Sequence, residues 1–237
     1  MEKIYFYSNN QRIDGTLITP KKTKTKNPGV IFFHGMTSSE KGYIPIAESL
    51  TKNGIISLTL NLRGHGSNQG NLNTLTVNDA VADAFSAYDF FTQHDFVDKK
   101  RIGLCGTSVG AAIASIVSKQ REVKSLVLRS PAAYTDKMMK MTYSDIMAHE
   151  GLIFQKIKNI RNTTPLKAIA KFKGSLLVIT SENDTIIPVR LSRQYLSEAK
   201  GAKKKMIEIS GAAHNLLKAS WKQQFRDEVV KWFIKTL

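Results

Sequence analysis

The sequence predicts an α/β protein: a mostly parallel central sheet with helices on both faces. Three observations carry that expectation. Gly29-Val30-Ile31-Phe32-Phe33 is a short, wholly apolar run of the kind found in strands buried on both faces. Such runs alternate along the chain with stretches of helical period. No internal repeat or inter-domain linker interrupts the alternation, and 237 residues suit one large domain spanning 1–237.

The first expected element is an antiparallel hairpin. Residues 3–8 and 11–18 alternate apolar and polar around Asn9-Asn10, a pair suited to a tight turn at a sheet edge. Residues 21–27 read as a polar, lysine-rich loop. A helix is expected over 43–53, stopped by Asn53-Gly54, then a strand over 55–60. The helix over 77–93 carries Val77, Val81, Ala84, Phe85, Tyr88 and Phe91 along one face. Arg101 to Cys105 reads as a strand, 109–119 as a helix of small residues and 123–128 as another buried strand. Residues 131–173 differ, being rich in Met and Lys and helical in flavour, with Pro165 as a breaker. The strand pattern resumes over 175–180. A helix over 189–199, a strand over 206–209 and a closing helix over 216–235 follow, the last with Trp221, Phe225, Val229 and Phe233 on one side.

At 42% hydrophobic and 23% charged residues, the composition excludes wholesale disorder. A single cysteine excludes an internal disulfide framework and a multi-cysteine metal site, and fits a reducing compartment. The N-terminus lacks the apolar run of a secretory signal, and no stretch reaches the ~18 uncharged apolar residues of a membrane span, so a soluble cytoplasmic protein is expected. The formal charge of +16 raises nucleic acid as a partner. The basic residues are scattered, however, and neither interleaved aromatics nor a nucleic-acid module accompanies them, so nucleic acid is not expected.

The chemistry is concentrated at strand ends, where sites in parallel sheets lie. After the strand ending at Cys105 comes Gly106-Thr107-Ser108-Val109-Gly110, then a helix. A nucleophilic serine on a sharp strand-to-helix turn needs flanking glycines where a Cβ would clash, and the helix start favours developing negative charge. Ser108 then needs a base and an acid to orient it. His94 and His149 sit in polar helical surroundings and read as surface residues. His214 follows a strand in the small-residue loop Ser210-Gly211-Ala212-Ala213, placed to reach across to Ser108. Asp184, four residues before Pro188, is the expected acid, with Glu182 as the alternative. The oxyanion hole is expected from the N–H of Val109 and that of Met36, in the loop His34-Gly35-Met36 where Gly35 lets the backbone bend. His34 is expected to pack below that loop, and Cys105 to be a buried strand residue.

With these residues in view, the chain resembles serine hydrolases of the α/β-hydrolase superfamily, whose described order Ser, Asp, His it follows. The resemblance covers nearly the whole chain. It rests on His34-Gly35-Met36, Asn61-Leu62-Arg63-Gly64-His65-Gly66-Ser67, Gly106 to Gly110, Asp184 with Ile187-Pro188, and Gly211 to His214. Within the superfamily it is similar to small bacterial feruloyl (cinnamoyl) esterases and to monoacylglycerol-lipase-like and serine-aminopeptidase-like hydrolases. The resemblance implies the α/β-hydrolase fold with an antiparallel N-terminal hairpin and a small helical cap inserted at about 131–173. It also implies that Arg63, Gly64 and His65 are structural, with His65 holding its loop. Asn61 stands where Asp is common, and Thr107 where many relatives have His or Tyr.

The expected function is cleavage of a small-molecule carboxylic ester by Ser108, His214 and Asp184 through an acyl-enzyme, with no metal or organic cofactor. Peptidase, thioesterase or acyltransferase chemistry would use the same groups, and a ligand-binding protein on the same fold is the non-enzymatic alternative. The expected cap holds an apolar set including Tyr134, Met138, Met139, Met141, Tyr143, Met147 and Phe154, some of it available to line a pocket. It also has eight Lys/Arg against Asp136, Asp145 and Glu150.

Overall fold

The structure, a computed structural model, describes residues 1–21, 26–68, 70–149 and 152–237. Most of the polar loop expected over 21–27, and Glu150, therefore lie outside the described residues. Among those described, eight strands form one sheet in the order β1-β2-β4-β3-β5-β6-β7-β8. They are β1 (Glu2–Ser8), β2 (Gln11–Ile18), β3 (Asn27–Phe33), β4 (Ile56–Leu60), β5 (Val97–Thr107), β6 (Ser125–Arg129), β7 (Ser175–Asn183) and β8 (Lys203–Ala213). β1 and β2 pair antiparallel, as do β2 and β4, and every later pairing is parallel. Asn9 and Asn10 turn the edge hairpin at φ 48° and 61°, the left-handed pair that a two-residue turn requires.

The helices are α1 (Ile44–Thr51), α2 (Val77–Thr92), α3 (Val109–Gln120), α4 (Tyr143–Ala148), α5 (Leu152–Gln155), α6 (Thr164–Ile169), α7 (Val189–Glu198) and α8 (Ala219–Thr236). α2 starts with a capping box: the Thr76 hydroxyl accepts the Asp79 N–H while the Asp79 carboxylate accepts the Thr76 N–H. Its buried face holds Val77, Ala84, Tyr88 and Phe91 of the expected set, with Val81 and Phe85 partly buried against the core, and widens to take in Ala80, Asp83 and Ala87. The burial of Asp83 has an electrostatic reason. Asp83 turns inward to meet Arg63, whose Nε lies 2.9 Å from both carboxylate oxygens and whose Nη2 bonds Oδ1. The same carboxylate accepts the Arg63 backbone N–H at 3.1 Å, and Nη2 also donates to the Ser8 hydroxyl at 3.1 Å.

β8 is longer than the hydropathy pattern indicates, because its first residues, Lys203 to Lys205, are exposed on an edge strand. Charged side chains there are a usual means of keeping an edge from pairing with other chains. The segment 131–173 consists of short helical turns whose Tyr134, Met138, Met139, Tyr143 and Phe154 belong to the main core cluster. It is tied down by Tyr143 N–H to Leu75 O at 2.8 Å and by Arg190 Nη2 to Gln155 O at 2.8 Å. Met138 and Met139 are therefore core residues. His94 is half-buried rather than on the surface, its ring 5.0 Å from Phe90 and 5.4 Å from Phe96.

Removing one partner of a buried ion pair strands the other charge, at a cost of about 3–5 kcal/mol. Asp83→Ala is expected to lower the urea-unfolding free energy by about that much. The double variant Arg63→Met/Asp83→Ala should recover a large part of it; equal stability of single and double variants would contradict this account.

Candidate active site

Four consecutive strands end in one place. Ser108 is the first residue after β5, Arg129 the last of β6, Asp184 the first after β7 and His214 the first after β8. The β5-to-α3 turn has no room for side chains. A Cβ on Gly106 would lie 2.2 Å from the Gly110 carbonyl oxygen, and one on Gly110 would lie 2.1 Å from the Phe33 carbonyl oxygen. Ser108 between them adopts φ 55°, ψ −115°, a conformation L residues rarely hold outside functional sites. Val109 begins α3, so its N–H has no intrahelical acceptor.

The His34-Gly35-Met36 loop lies against this turn. A Cβ on Gly35 would stand 3.7 Å from Ser108 Cβ, an ordinary contact. The bend there does not rest on glycine, contrary to expectation. Neither the Met36 nor the Val109 N–H donates to a protein acceptor among the described residues. His34 is wholly buried: its Nε2 accepts the Leu62 N–H at 3.0 Å, which puts the proton on Nδ1, 2.8 Å from the Gly35 carbonyl. That carbonyl belongs to the peptide carrying the Met36 N–H. His65 holds the other side, with Nε2 on the Met36 carbonyl and Nδ1 3.0 Å from the Arg63 carbonyl. Gly64, at φ 75°, turns the chain between these two residues. Asn61, in the place of the more common Asp, accepts the Glu40 N–H at 3.0 Å. Thr107 receives the Tyr43 hydroxyl at 2.7 Å. Cys105 is buried, and burial pushes its thiol pKa well up.

Of the two candidate acids, the structure brings Asp184 to His214. The ring Nδ1 lies 2.8 Å and 3.0 Å from the two carboxylate oxygens, the Asp184 side chain is fully buried and that of His214 is 11% exposed. Burial pushes the Asp184 carboxyl up, but the His214 hydrogen bond and charge and the Ile187 N–H outweigh it, so its pKa lies below the usual value. Glu182 points elsewhere. It accepts the Ser210 hydroxyl at 2.8 Å and the Gly211 N–H at 2.6 Å. These bonds hold an irregularity in which Ser181 pairs with Ile209 but Asn183 with Ala213, so β8 carries two extra residues, with Gly211 at φ 68°. The extra residues set where His214 leaves the strand.

Sequence reasoning missed Arg129. It is 6% exposed, its backbone carbonyl accepts the Ser108 N–H at 2.9 Å and its Nη2 donates to the His214 carbonyl at 2.8 Å. A charged residue closing a buried strand was the available signal. Further out, the 131–173 segment holds a cleft of about 520 Å³ lined in part by Ile153 and Ile157, with Lys137, Lys156, Lys158 and Asp136 as its charged residues among those described.

The burial of His34 has a measurable consequence. Burial lowers its pKa to about 4, against 6.5 for a free side chain. Between those values the unfolded chain binds a proton that the folded one does not, so stability falls as pH drops from about 6.5 to about 4, by about 3 kcal/mol in all. His34→Gln should flatten the urea-unfolding free energy over that window relative to the wild type. An unchanged pH dependence would mean that His34 is not the group responsible.

Comparison with known proteins shows the family and the fold. The family model described as serine aminopeptidase, S33, matches residues 25–166, a stretch that contains Ser108. An uncharacterised protein of Mycobacterium tuberculosis is 26% identical over 196 residues, covering 83% of this chain and 66% of its own. An uncharacterised protein of Escherichia coli is 29% identical over 113 residues, covering 47% and 39%. The chain thus spans just under two thirds of the first relative and well under half of the second. Among solved structures, Est1E of Butyrivibrio proteoclasticus with ferulic acid bound superposes with a TM-score of 0.77 at 18% identity, covering 98% of both chains. Esterase 2 of Thermogutta terrifontis, phosphoramylated by tabun, gives 0.75 at 18% identity, covering 99% of this chain and 93% of that one. The monoacylglycerol lipase of Paleococcus ferrophilus gives 0.68 at 16% identity, covering 94% and 98%. The likeness to these structures is one of fold. The chain has the α/β-hydrolase fold and belongs to the serine aminopeptidase S33 family.

Proposed function

We propose that the chain is a serine hydrolase that cleaves carboxylic esters through an acyl-enzyme. The observation that carries this reading is the strained Ser108 turn at the end of β5, in the same sheet-end cluster as the Asp184–His214 couple. In this reading Ser108 Oγ attacks the ester carbonyl carbon and gives its proton to His214 Nε2, the ring nitrogen that Asp184 leaves free. The carboxylate fixes the tautomer and stabilises the imidazolium. The N–H groups of Met36 and Val109 receive the oxyanion. Collapse expels the alcohol, which takes the proton from His214. Water then adds to the acyl-enzyme with His214 again as base, releasing the acid and restoring Ser108.

A peptidase acting on free N-termini would use the same groups, and the family's description favours that reading. The ester is favoured by solved structures of the same fold, among them Est1E with ferulic acid bound and esterase 2.

Ser108→Ala is expected to keep the fold and to lose about a thousandfold or more in kcat/KM for p-nitrophenyl short-chain esters. It should also lose labelling by a fluorophosphonate probe. Asp184→Asn should cost about a thousandfold and Glu182→Gln no more than about tenfold. Turnover by Ser108→Ala equal to the wild type would sink the assignment, and a reversed order of the two acid variants would exchange their roles. Side-by-side rates on p-nitrophenyl esters and aminoacyl p-nitroanilides separate esterase from aminopeptidase.

A further inference from the structure

We propose that Arg129 is a positioning residue for this reaction, a strut that ties the turn of Ser108 to the backbone of His214; the inference rests on the reading of Ser108, His214 and Asp184 given above. The residue touches both sides. Its backbone carbonyl holds the Ser108 N–H and its guanidinium holds the His214 carbonyl, with a longer contact of 3.4 Å from Nη1 to the Ser181 hydroxyl. The guanidinium also lies over the Phe225 ring, 5.8 Å from its centroid.

The charge is not there for stability. A buried guanidinium ordinarily pairs with a carboxylate, as Arg63 does with Asp83, yet Arg129 forms no ion pair among the described residues. Burying an unpaired cation is unfavourable, and an apolar side chain could fill the space against Phe225 without that penalty. What an apolar side chain could not do is donate to the His214 carbonyl. Beyond Ala213 the chain runs through residues 214–218 without helix or strand, and Asn215, Leu217 and Lys218 are exposed. Asp184 holds the imidazole from the side-chain end, and Arg129 holds the same residue from its backbone. Loss of one tether lets the ring drift, and a drift of about 1 Å at a reacting group costs on the order of a hundredfold.

The experiment compares wild type, Arg129→Met and Arg129→Lys on a p-nitrophenyl ester, with circular dichroism as the check on folding. Arg129→Met is expected to lose about tenfold or more in kcat with KM nearly unchanged. Arg129→Lys, which keeps a donor without the planar fork, should recover part of that loss, its kcat falling by about threefold. A folded Arg129→Met with wild-type kcat overturns the role. So does failure of both variants to fold, which would assign Arg129 to the fold alone. A wild type without Ser108-dependent turnover would instead overturn the reading on which this one rests.

Discussion

The site depends on one close approach, that of the first turn of α3 to the end of β3. Gly110 passes so near the Phe33 carbonyl that a Cβ would stand 2.1 Å from it, and Gly106 passes equally near Gly110. A helix can follow β5 here only by folding back over its own strand, which forces Ser108 into the left-handed region. That conformation costs roughly 1–3 kcal/mol and survives because the surroundings over-determine it. Every residue of α3 from Val109 to Val117 is buried. The same approach sets the Met36 loop beside the helix start. The crowding and the placing of these groups therefore have one origin: what excludes side chains from the turn also sets the loop of Met36 and the free N–H of Val109 beside the serine.

A second constraint is distance. Adjacent strands lie about 4.8 Å apart, so the ends of β5 and β8 are separated by three spacings, or about 14 Å. In the proposed reaction, a histidine leaving β8 must be brought back over β7 and β6 to serve Ser108. Two extra residues in β8, held by Glu182, make the slack, and the Arg129 guanidinium reaches the His214 carbonyl from the end of β6. Around the loop, His34 and His65 grip the carbonyls on either side of Met36, while the buried Arg63–Asp83 pair fixes the chain from which His65 extends.

These layers differ in how well the sequence reveals them. The turn of Ser108 is legible because its demand is steric and local: glycines at two fixed offsets between an apolar strand and a small-residue helix. Most strands and long helices are legible for the same reason of local period. The burial of Asp83 on α2 is not, since hydropathy counts it as solvent-facing and only its partner twenty residues away turns it inward. β8 is half-legible, its exposed lysines concealing the first part of the strand. Sequence ranks Asp184 above Glu182 by its distance from Pro188 but does not separate them, because both stand near the end of one strand and only the direction of each side chain tells a carboxylate on His214 from a clamp on Gly211. Arg129 is least legible, since an arginine closing an apolar strand looks like a chain emerging into water. Its contacts span 21 residues in one direction and 85 in the other, and no local pattern records them.

The net charge of +16 takes on a different meaning once the cations are located. Summed over the chain, it suggests a polyanionic partner. Its members instead answer to unrelated physical demands. Arg63 and Arg129 are buried and act through direction, as donors that only a guanidinium could supply at those positions. Lys203 to Lys205 lie on an edge strand, where charge opposes pairing with other chains. Lys137, Lys156 and Lys158 gather at one cleft, where they set a local field. A field of several like charges acts over about one Debye length, roughly 8–10 Å, so these groups influence what enters that cleft and nothing farther away. Composition adds such charges together, whereas the fold separates them, and the chemistry follows the separation.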